Sequence, residues 1–290
     1  MKILATSDLH QSPDKWKRLV KACQKEKFDI VAIAGDLFPK DRDIIAQHTF
    51  LPNIQKYCKK INDTNAKIIL TLGNDDNRLL IDDMIKLNDE NSICYLNNTP
   101  IEIMGWEFAG MPYVPDYPFQ YKFWCRAETE DNLRIDIKQF GKPLTINHYN
   151  EIKTIDNYPY YLKHQKSIKQ CLNDLKSQIK NINKSIWLIH APPARLDLDV
   201  CATGAKVGSE SVYEFVNENQ PFLTIHGHIH ESPLYNGGIW FKKVGETYCL
   251  QSGQWGFELA YSSIEIKDDH IINMSHSILG DQLWKAVPYR

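Results

Sequence analysis

The stretch DIVAIAGD, Asp29–Asp36, decides the fold. A short, continuous apolar run that closes on glycine and a carboxylate reads as a strand buried on both faces, with its polar residues just past the carboxyl end. The same pattern stands on either side of it. Lys2–Thr6 (KILAT) runs into Ser7-Asp8-Leu9-His10, and Lys67–Leu72 (KIILTL) runs into Gly73-Asn74-Asp75-Asp76. Between these runs lie helix signals. Ser12 reads as an N-cap and Pro13 as the first turn, with Trp16, Leu19, Val20 and Cys23 at helical spacing. A second helix spans about Arg42 to Ile61 and a third Leu79–Leu87. Strand and helix in alternation mean an α/β fold with parallel strands covered on both faces. In such sheets ligands bind beyond the carboxyl ends of the strands, where these polar residues sit.

Further along, the character of the chain changes. From Gly110 to Lys163 it is rich in proline and aromatic residues, among them Tyr113, Tyr117, Phe119 and Trp124, with no sustained period. This region, about 110–163, is expected to be an insertion or cap within a single domain spanning 1–290. A helix over Lys163–Ile182 then leads to a strand, Ser185–Ile189, ending at His190. A helix over Ser209–Asn217 leads to the strand Phe222–Ile225, ending at His226-Gly227-His228-Ile229-His230. The last third (Gly238–Lys243, Thr247–Gln251, Glu258–Lys267, His270–His276) reads as short antiparallel strands. Trp16, Trp106, Trp187 and Trp255 read as core, and His148 and His226 as hydrogen-bonded structural residues.

Composition excludes several classes. Lys+Arg number 34 and Asp+Glu 36, a net charge of −2, and 43% of residues are hydrophobic. A disordered chain looks different, and so does a protein that coats nucleic acid by bulk charge. The seven cysteines are scattered, odd in number and without a C-x-x-C pair, which fits reduced thiols in a cytoplasmic protein. No stretch approaches the length of a membrane span, and no signal peptide opens the chain. Cys201 has no histidine paired with it in the sequence and is not expected to act as a nucleophile.

Five polar clusters follow five strands: Asp8/His10, Asp36, Asn74, His190 and His228/His230. Oxygen from Asp and Asn together with nitrogen from His is the donor set of paired divalent transition metals. Asp36, the lone carboxylate of its cluster, is the natural bridge. One ion is expected on Asp8, His10, Asp36 and His230, and the other on Asp36, Asn74, His190 and His228. Mn, Fe, Zn, Ni and Mg all suit such ligands, and Mn is the first choice.

In these residues the chain resembles the calcineurin-like metallophosphoesterases, whose pattern is D-x-H, G-D, G-N-H-D/E, a lone H and G-H-x-H. The match runs from Ile3 to about Gly253. His190-Ala191-Pro192-Pro193, Asp197-Leu198-Asp199, Val207-Gly208-Ser209-Glu210-Ser211 and Ser252-Gly253-Gln254 are similar to a prokaryotic subgroup. The resemblance implies a four-layer α-β-β-α sandwich with two central sheets flanked by helices and a dimetal site at the sheet edge. It implies hydrolysis of phosphoesters by a hydroxide bridging the ions.

One position departs from the pattern. The family's His after Gly-Asn, which sits over the phosphoryl group and protonates the leaving group, is Asp75 here. A carboxylate beside two dications is a poor general acid. Positioned acid catalysis contributes about 10²–10⁴-fold, so esters with poor leaving groups suffer most. The expectation is a phosphodiesterase, acting on a small phosphoester such as a nucleotide or cyclic nucleotide, with Asn74 and Asp75 at the reacting centre. Arg195, Lys206 and Tyr113 are candidate substrate contacts. The alternatives are a phosphoesterase-fold scaffold that has lost turnover and a nuclease, the latter opposed by the absence of a basic tract.

Overall fold

The computed structural model describes residues 1–10, 12–39, 44–90, 92–135, 138–147, 150–235, 237–254 and 256–281. The first part of the chain runs β1 (Lys2–Thr6), α1 (Pro13–Lys25), β2 (Ile30–Ala34), α2 (Ile44–Asn62), β3 (Lys67–Thr71), α3 (Ile81–Asp89) and β4 (Cys94–Tyr95). There follow β5 (Ile101–Ile103), β6 (Trp106–Met111), β7 (Leu144–Ile146), β8 (Ile152–Thr154), α4 (Tyr158–Lys163), α5 (Ile168–Lys176) and β9 (Ser185–Ile189). The chain continues with α6 (Glu210–Asn219), β10 (Leu223–His226), β11 (Phe241–Val244), β12 (Thr247–Gln251), β13 (Ser262–Lys267) and β14 (His270–His276).

Two sheets form the centre, ordered β14-β13-β1-β2-β3-β4 and β11-β12-β10-β9-β6-β5. Strand side chains alternate between faces. Ile3, Ala5, Ile30, Ala32 and Ile69 of the first sheet meet Phe108, Ile186, Leu188 and Ile225 of the second. On the outer face of the first sheet, Leu4, Val31, Ile33 and Leu70 pack on Trp16, Leu19 and Ile54 of the helices. The outer face of the second carries Trp187 and Ile189 against Leu172, Val212 and Phe215. This is the expected four-layer sandwich. β2 is buried along its whole length, and each of its Ile and Val side chains contributes about 1.5–3 kcal/mol on burial.

Local chemistry sets the helix starts. The Ser12 hydroxyl accepts from Lys15 N at 3.2 Å with Pro13 at the first position of α1. Trp16, Trp106 and Trp187 are buried as expected, whereas Trp255, His148 and the start of the second helix near Arg42 lie outside the described residues.

Two expectations are corrected. β6 extends through Met111 as a strand parallel to β9, and β5, which the sequence did not suggest, pairs with it as a hairpin, so the proline- and aromatic-rich segment expected over about 110–163 follows β6. Met104 and Gly105 make the turn with φ of 53° and 75°, the left-handed pair that tight hairpins require. The single helix expected over about 163–182 is not formed: α4 ends at Lys163, and a second helix, α5, covers only Ile168–Lys176. Ser167 starts the second through a reciprocal capping box with Gln170, which satisfies backbone donors better than continuing the first. Finally, the last third is not wholly antiparallel, since β12 runs parallel to β10.

The segment after β6 is tied to the body by polar side chains. Glu128 accepts from Ser209 Oγ at 2.6 Å and Ser211 N at 3.0 Å. Within it, the fully buried Lys122 pairs with Asp116 at 2.8 Å and lies over the rings of Tyr117 and Tyr158.

Candidate metal centre

Five strand ends meet along one edge of the sandwich. Asp8 and His10 follow β1, Asp36 follows β2 and Asn74 follows β3, all in one sheet, while His190 follows β9 and His228 and His230 follow β10 in the other. The loops are bonded to one another: Asp8 N donates to Gly35 O, His10 N to Asp36 O and Gly227 N to His190 O, at 2.9–3.0 Å.

The seven side chains form two adjoining groups. In the first, atoms of Asp8, His10, Asp36 and His230 lie within 4.8 Å of one another. His10 Nε2 is 3.0 Å from His230 Nε2, which is 3.3 Å from Asp8 Oδ1. In the second, His190 Nε2 is 2.9 Å and His228 Nδ1 2.5 Å from Asn74 Oδ1. A single oxygen joins them. Asp36 Oδ2 lies 3.8 Å from His10 Nε2 and 3.4 Å from His190 Nε2.

Backbone geometry is bent to achieve this. Asp8, His10, Asp36 and His228 have φ of 52°, 43°, 55° and 71°, a left-handed region that Asp and His tolerate better than most residues. Each such residue costs about 1–3 kcal/mol, and such strain gathers at functional sites. Two glycines are required by close approach. A Cβ at Gly73 would stand 2.3 Å from Asp36 Oδ1, and one at Gly35, where φ is +90°, would stand 2.6 Å from His190 Nδ1.

Hydrogen bonds orient the donors. His190 Nδ1 donates to Ala34 O at 2.7 Å, which leaves Nε2 facing the cluster. Asn74 Nδ2 donates to Asp75 Oδ1 at 3.0 Å, so its carbonyl oxygen points at the imidazoles. Burial pushes Asp8 and Asp36 up, but His230 beside the first and His190 beside the second outweigh it and hold both carboxyls well below the usual carboxylate range. Burial pushes His228 down to about 3. His190 is the exception, because its burial is overcome by Asp36 and its pKa rises to about 10.

Ionised carboxylates, a neutral imidazole and an oriented amide oxygen suit first-row dications, and the donor chemistry fits two of them. As the expected ligand of the second ion, His190 would have to lose its proton on binding. A group with a raised pKa keeps that proton through neutral pH, so metal affinity is expected to rise with pH until it approaches about 10. Calorimetry in buffers of different ionisation enthalpy should register the released proton, and a buffer-independent binding heat would contradict this.

The family model described as calcineurin-like phosphoesterase matches residues 1–232. The chain belongs to the calcineurin-like phosphoesterase family. Membership places it among metal-dependent phosphoesterases, with phosphoesters as the substrate class and the Asp8–His10–Asp36–His230 group as a candidate metal seat. No curated protein matches it in sequence. Among solved structures, TT1561 of Thermus thermophilus is similar at a TM-score of 0.57 and 15% identity, over 94% of this chain and 97% of that one. A second solved chain gives 0.56 at 15% identity, over 94% and 98%. These likenesses show the fold.

In this phosphoesterase a cavity of about 500 Å³ opens over Asp36, Asn74, Asp75 and His228, with Tyr117 and Phe119 among its walls. The Tyr117 ring lies 6.2 Å from that of His228. Cys201 lines the cavity too, but burial, aided by Glu231 and Asp199, pushes its thiol up to about 11 and leaves it protonated. Three residues expected at the substrate do not line this cavity. Arg195 is paired with Glu210 at 2.7 Å and Lys206 with Asp197 at 2.5 Å, while Tyr113 packs under Arg126. Trp124 faces inward, its Nε1 donating to Asp76 O at 2.6 Å.

The sequence reading gave Asp76 no role. It clamps two of the site's loops, accepting from Leu37 N and Phe38 N on one oxygen and Gly73 N on the other at 2.8–3.0 Å. Burial, with Asp36 nearby, raises its pKa well above the usual carboxylate value. Its signal in the sequence was its place as the acidic residue that closes the G-N-H-D/E pattern. His226 is structural as expected, its ring bonded to Ile189 O, Ala191 O and Thr224 Oγ1. Among the described residues no helix is long and apolar enough to cross a membrane.

Proposed function

We propose that this phosphoesterase cleaves phosphodiesters in preference to monoesters, using two divalent cations, manganese being the first choice. Asp8, His10, Asp36 and His230 hold one, and Asp36, Asn74, His190 and His228 the other. The observation that carries this reading is the shared oxygen of Asp36, within 3.8 Å of His10 and 3.4 Å of His190. When bound, the cations supply Lewis-acid charge and lower the pKa of water from 15.7 to about 7.

The chain's residues set what is cleaved. His190, held by Ala34 O, presents Nε2, and Asn74, held by Asp75, presents its carbonyl oxygen. Asp75 lines the cavity where the family's general acid stands, and it offers a negative charge in place of a proton. A monoester with a poor leaving group therefore departs without help, and it also carries more negative charge against that carboxylate. A diester with a good leaving group is less affected on both counts. Tyr117 and Phe119 offer stacking surfaces to its organic arm, at about 1–3 kcal/mol per base.

The seven thiols and their lack of disulfides support a reducing compartment, the cytoplasm. Chain 1–290 acts on this reading as one catalytic unit with the segment after β6 as its cap.

The test is metal analysis followed by assay with Mn²⁺ of bis(p-nitrophenyl) phosphate against p-nitrophenyl phosphate. Two ions per chain and faster diester cleavage are expected. Faster monoester cleavage overturns the preference, and two ions with neither substrate cleaved favours a catalytically silent scaffold.

A further inference from the structure

Four aromatic rings lead outward from the candidate metal centre. The ring of His228 lies 6.2 Å from that of Tyr117, Tyr117 lies 6.3 Å from Phe119, and Phe119 lies 5.9 Å from Phe140. Tyr117 and Phe119 line the cavity over Asp36 and Asn74. Exposure rises along the run, from 4% at Tyr117 to 45% at Phe119 and 67% at Phe140. We propose that this run receives an aromatic non-leaving arm of the diester, and that the buried Asp116–Lys122 pair is the positioning device that holds it in line with the metal centre. The inference rests on the phosphodiesterase reading above.

One carboxylate ties the run together. Asp116 Oδ1 accepts from Lys122 Nζ at 2.8 Å, Tyr158 Oη at 2.6 Å and Tyr117 N at 2.9 Å, while Oδ2 accepts from Gln139 Nε2 at 3.0 Å. The first oxygen sets the backbone of Tyr117, and the second sets the segment that carries Phe140. That segment is pinned again where Phe140 N donates to Pro118 O at 2.8 Å. Lys122 Nζ closes the clamp by donating to Tyr117 O, and Tyr117 Oη donates to Tyr121 O. Tyr117 is thus held at its amide, its carbonyl and its hydroxyl, which fixes its ring beside His228.

Both side chains of the pair are fully buried. Such a pair is weak grounds for stability, since apolar residues of the same volume often serve as well or better. What it adds is geometry, because donors converging on one carboxylate specify an arrangement that apolar packing leaves loose. Its bonds to Tyr117 and Gln139 fall on the two segments that carry the rings. Rings fixed before the substrate arrives cost less to order on binding. An aromatic arm can lie offset or edge-on against them, whereas a small alkyl arm leaves the outer rings untouched.

Two diesters with the same p-nitrophenolate leaving group test this: phenyl p-nitrophenyl phosphate and methyl p-nitrophenyl phosphate. With Mn²⁺-loaded wild-type protein, kcat/KM should favour the phenyl ester by about 10-fold or more, chiefly through a lower KM. In Phe119→Ala, which leaves the ion pair in place, that ratio should fall several-fold. In the double variant Asp116→Asn/Lys122→Met, which removes both charges together, it should fall as far, with the loss on the KM of the phenyl ester. A merely structural pair would instead lower kcat for both esters alike. A wild-type ratio near 1, a ratio the double variant leaves intact, or an equal loss on both esters overturns the proposal. Lys122→Met alone, which leaves Asp116 its bonds from Tyr158, Tyr117 and Gln139, is judged by the same ratio. If thermal melts show both variants unfolded, the pair serves stability and the proposal is overturned as well. If the wild type cleaves neither ester, the phosphoesterase reading fails instead. Calorimetric titration of the two esters into the Mn²⁺-loaded protein then still decides the arm preference, because equal affinities would overturn it.

Discussion

Replacing Asp36 by Asn is expected to cut the bound metal from two ions to one or fewer and to lower kcat by about 10³-fold or more, the equivalent of several kcal/mol of lost charge stabilisation. Asp36 Oδ1 accepts the Asp75 amide at 2.8 Å, and Oδ2 stands between His10 and His190. Asn fills the same volume and keeps the first bond. It then has to turn its Nδ2 toward the two imidazoles, presenting donors where an anion joined the groups. The change touches both proposed ion positions at once, so its effect should exceed that of a ligand belonging to one group alone. The fold should survive, because the substitution removes a buried charge without leaving a void. Elemental analysis, thermal melting and diester assay on one preparation check all three expectations. Full metal content with activity within tenfold of the wild type would sink the shared-oxygen account.

The second large effect is a gain. Asp75→His should raise hydrolysis of an alkyl phosphomonoester by about 10²-fold, within the range a positioned acid supplies. Asp75 is 7% exposed and lines the cavity over Asp36 and Asn74, on the proposed reading the place where a leaving oxygen needs a proton. The gain should shrink for p-nitrophenyl phosphate, whose leaving group departs readily as an anion, and nearly vanish for bis(p-nitrophenyl) phosphate. This dependence on leaving group separates acid catalysis from a general effect of removing negative charge, which would favour both monoesters alike. An unchanged rate with the alkyl ester would refute the role assigned to this position.

The parts of this molecule legible in its sequence are those where burial and chemistry coincide in a few residues. KILAT, DIVAIA and KIILTL are apolar throughout, and the polar residues after them stand where the polypeptide leaves the sheet. β5 and β6 escaped because Ile101–Ile103 and Trp106–Met111 are short and alternate weakly. The Met104-Gly105 step between them was the overlooked sign of a hairpin. The direction of β12 could not be read locally, since its partners β10 and β11 are chosen by tertiary packing and not by its own five residues. Arg195 and Lys206 were attractive by charge and proximity to His190. What the sequence does not display is that Glu210 and Asp197 occupy them.

The left-handed backbone at Asp8, His10, Asp36 and His228 has a consequence for ion choice. On the proposed reading its conformational cost is met in folding, so the donors would act like a rigid macrocyclic chelator, with discrimination left to radius and coordination number. Calcium, which takes 6–8 oxygens at 2.3–2.6 Å in yielding cages, is poorly served by such a frame, whereas smaller ions that accept mixed nitrogen and oxygen at shorter range find it ready-made.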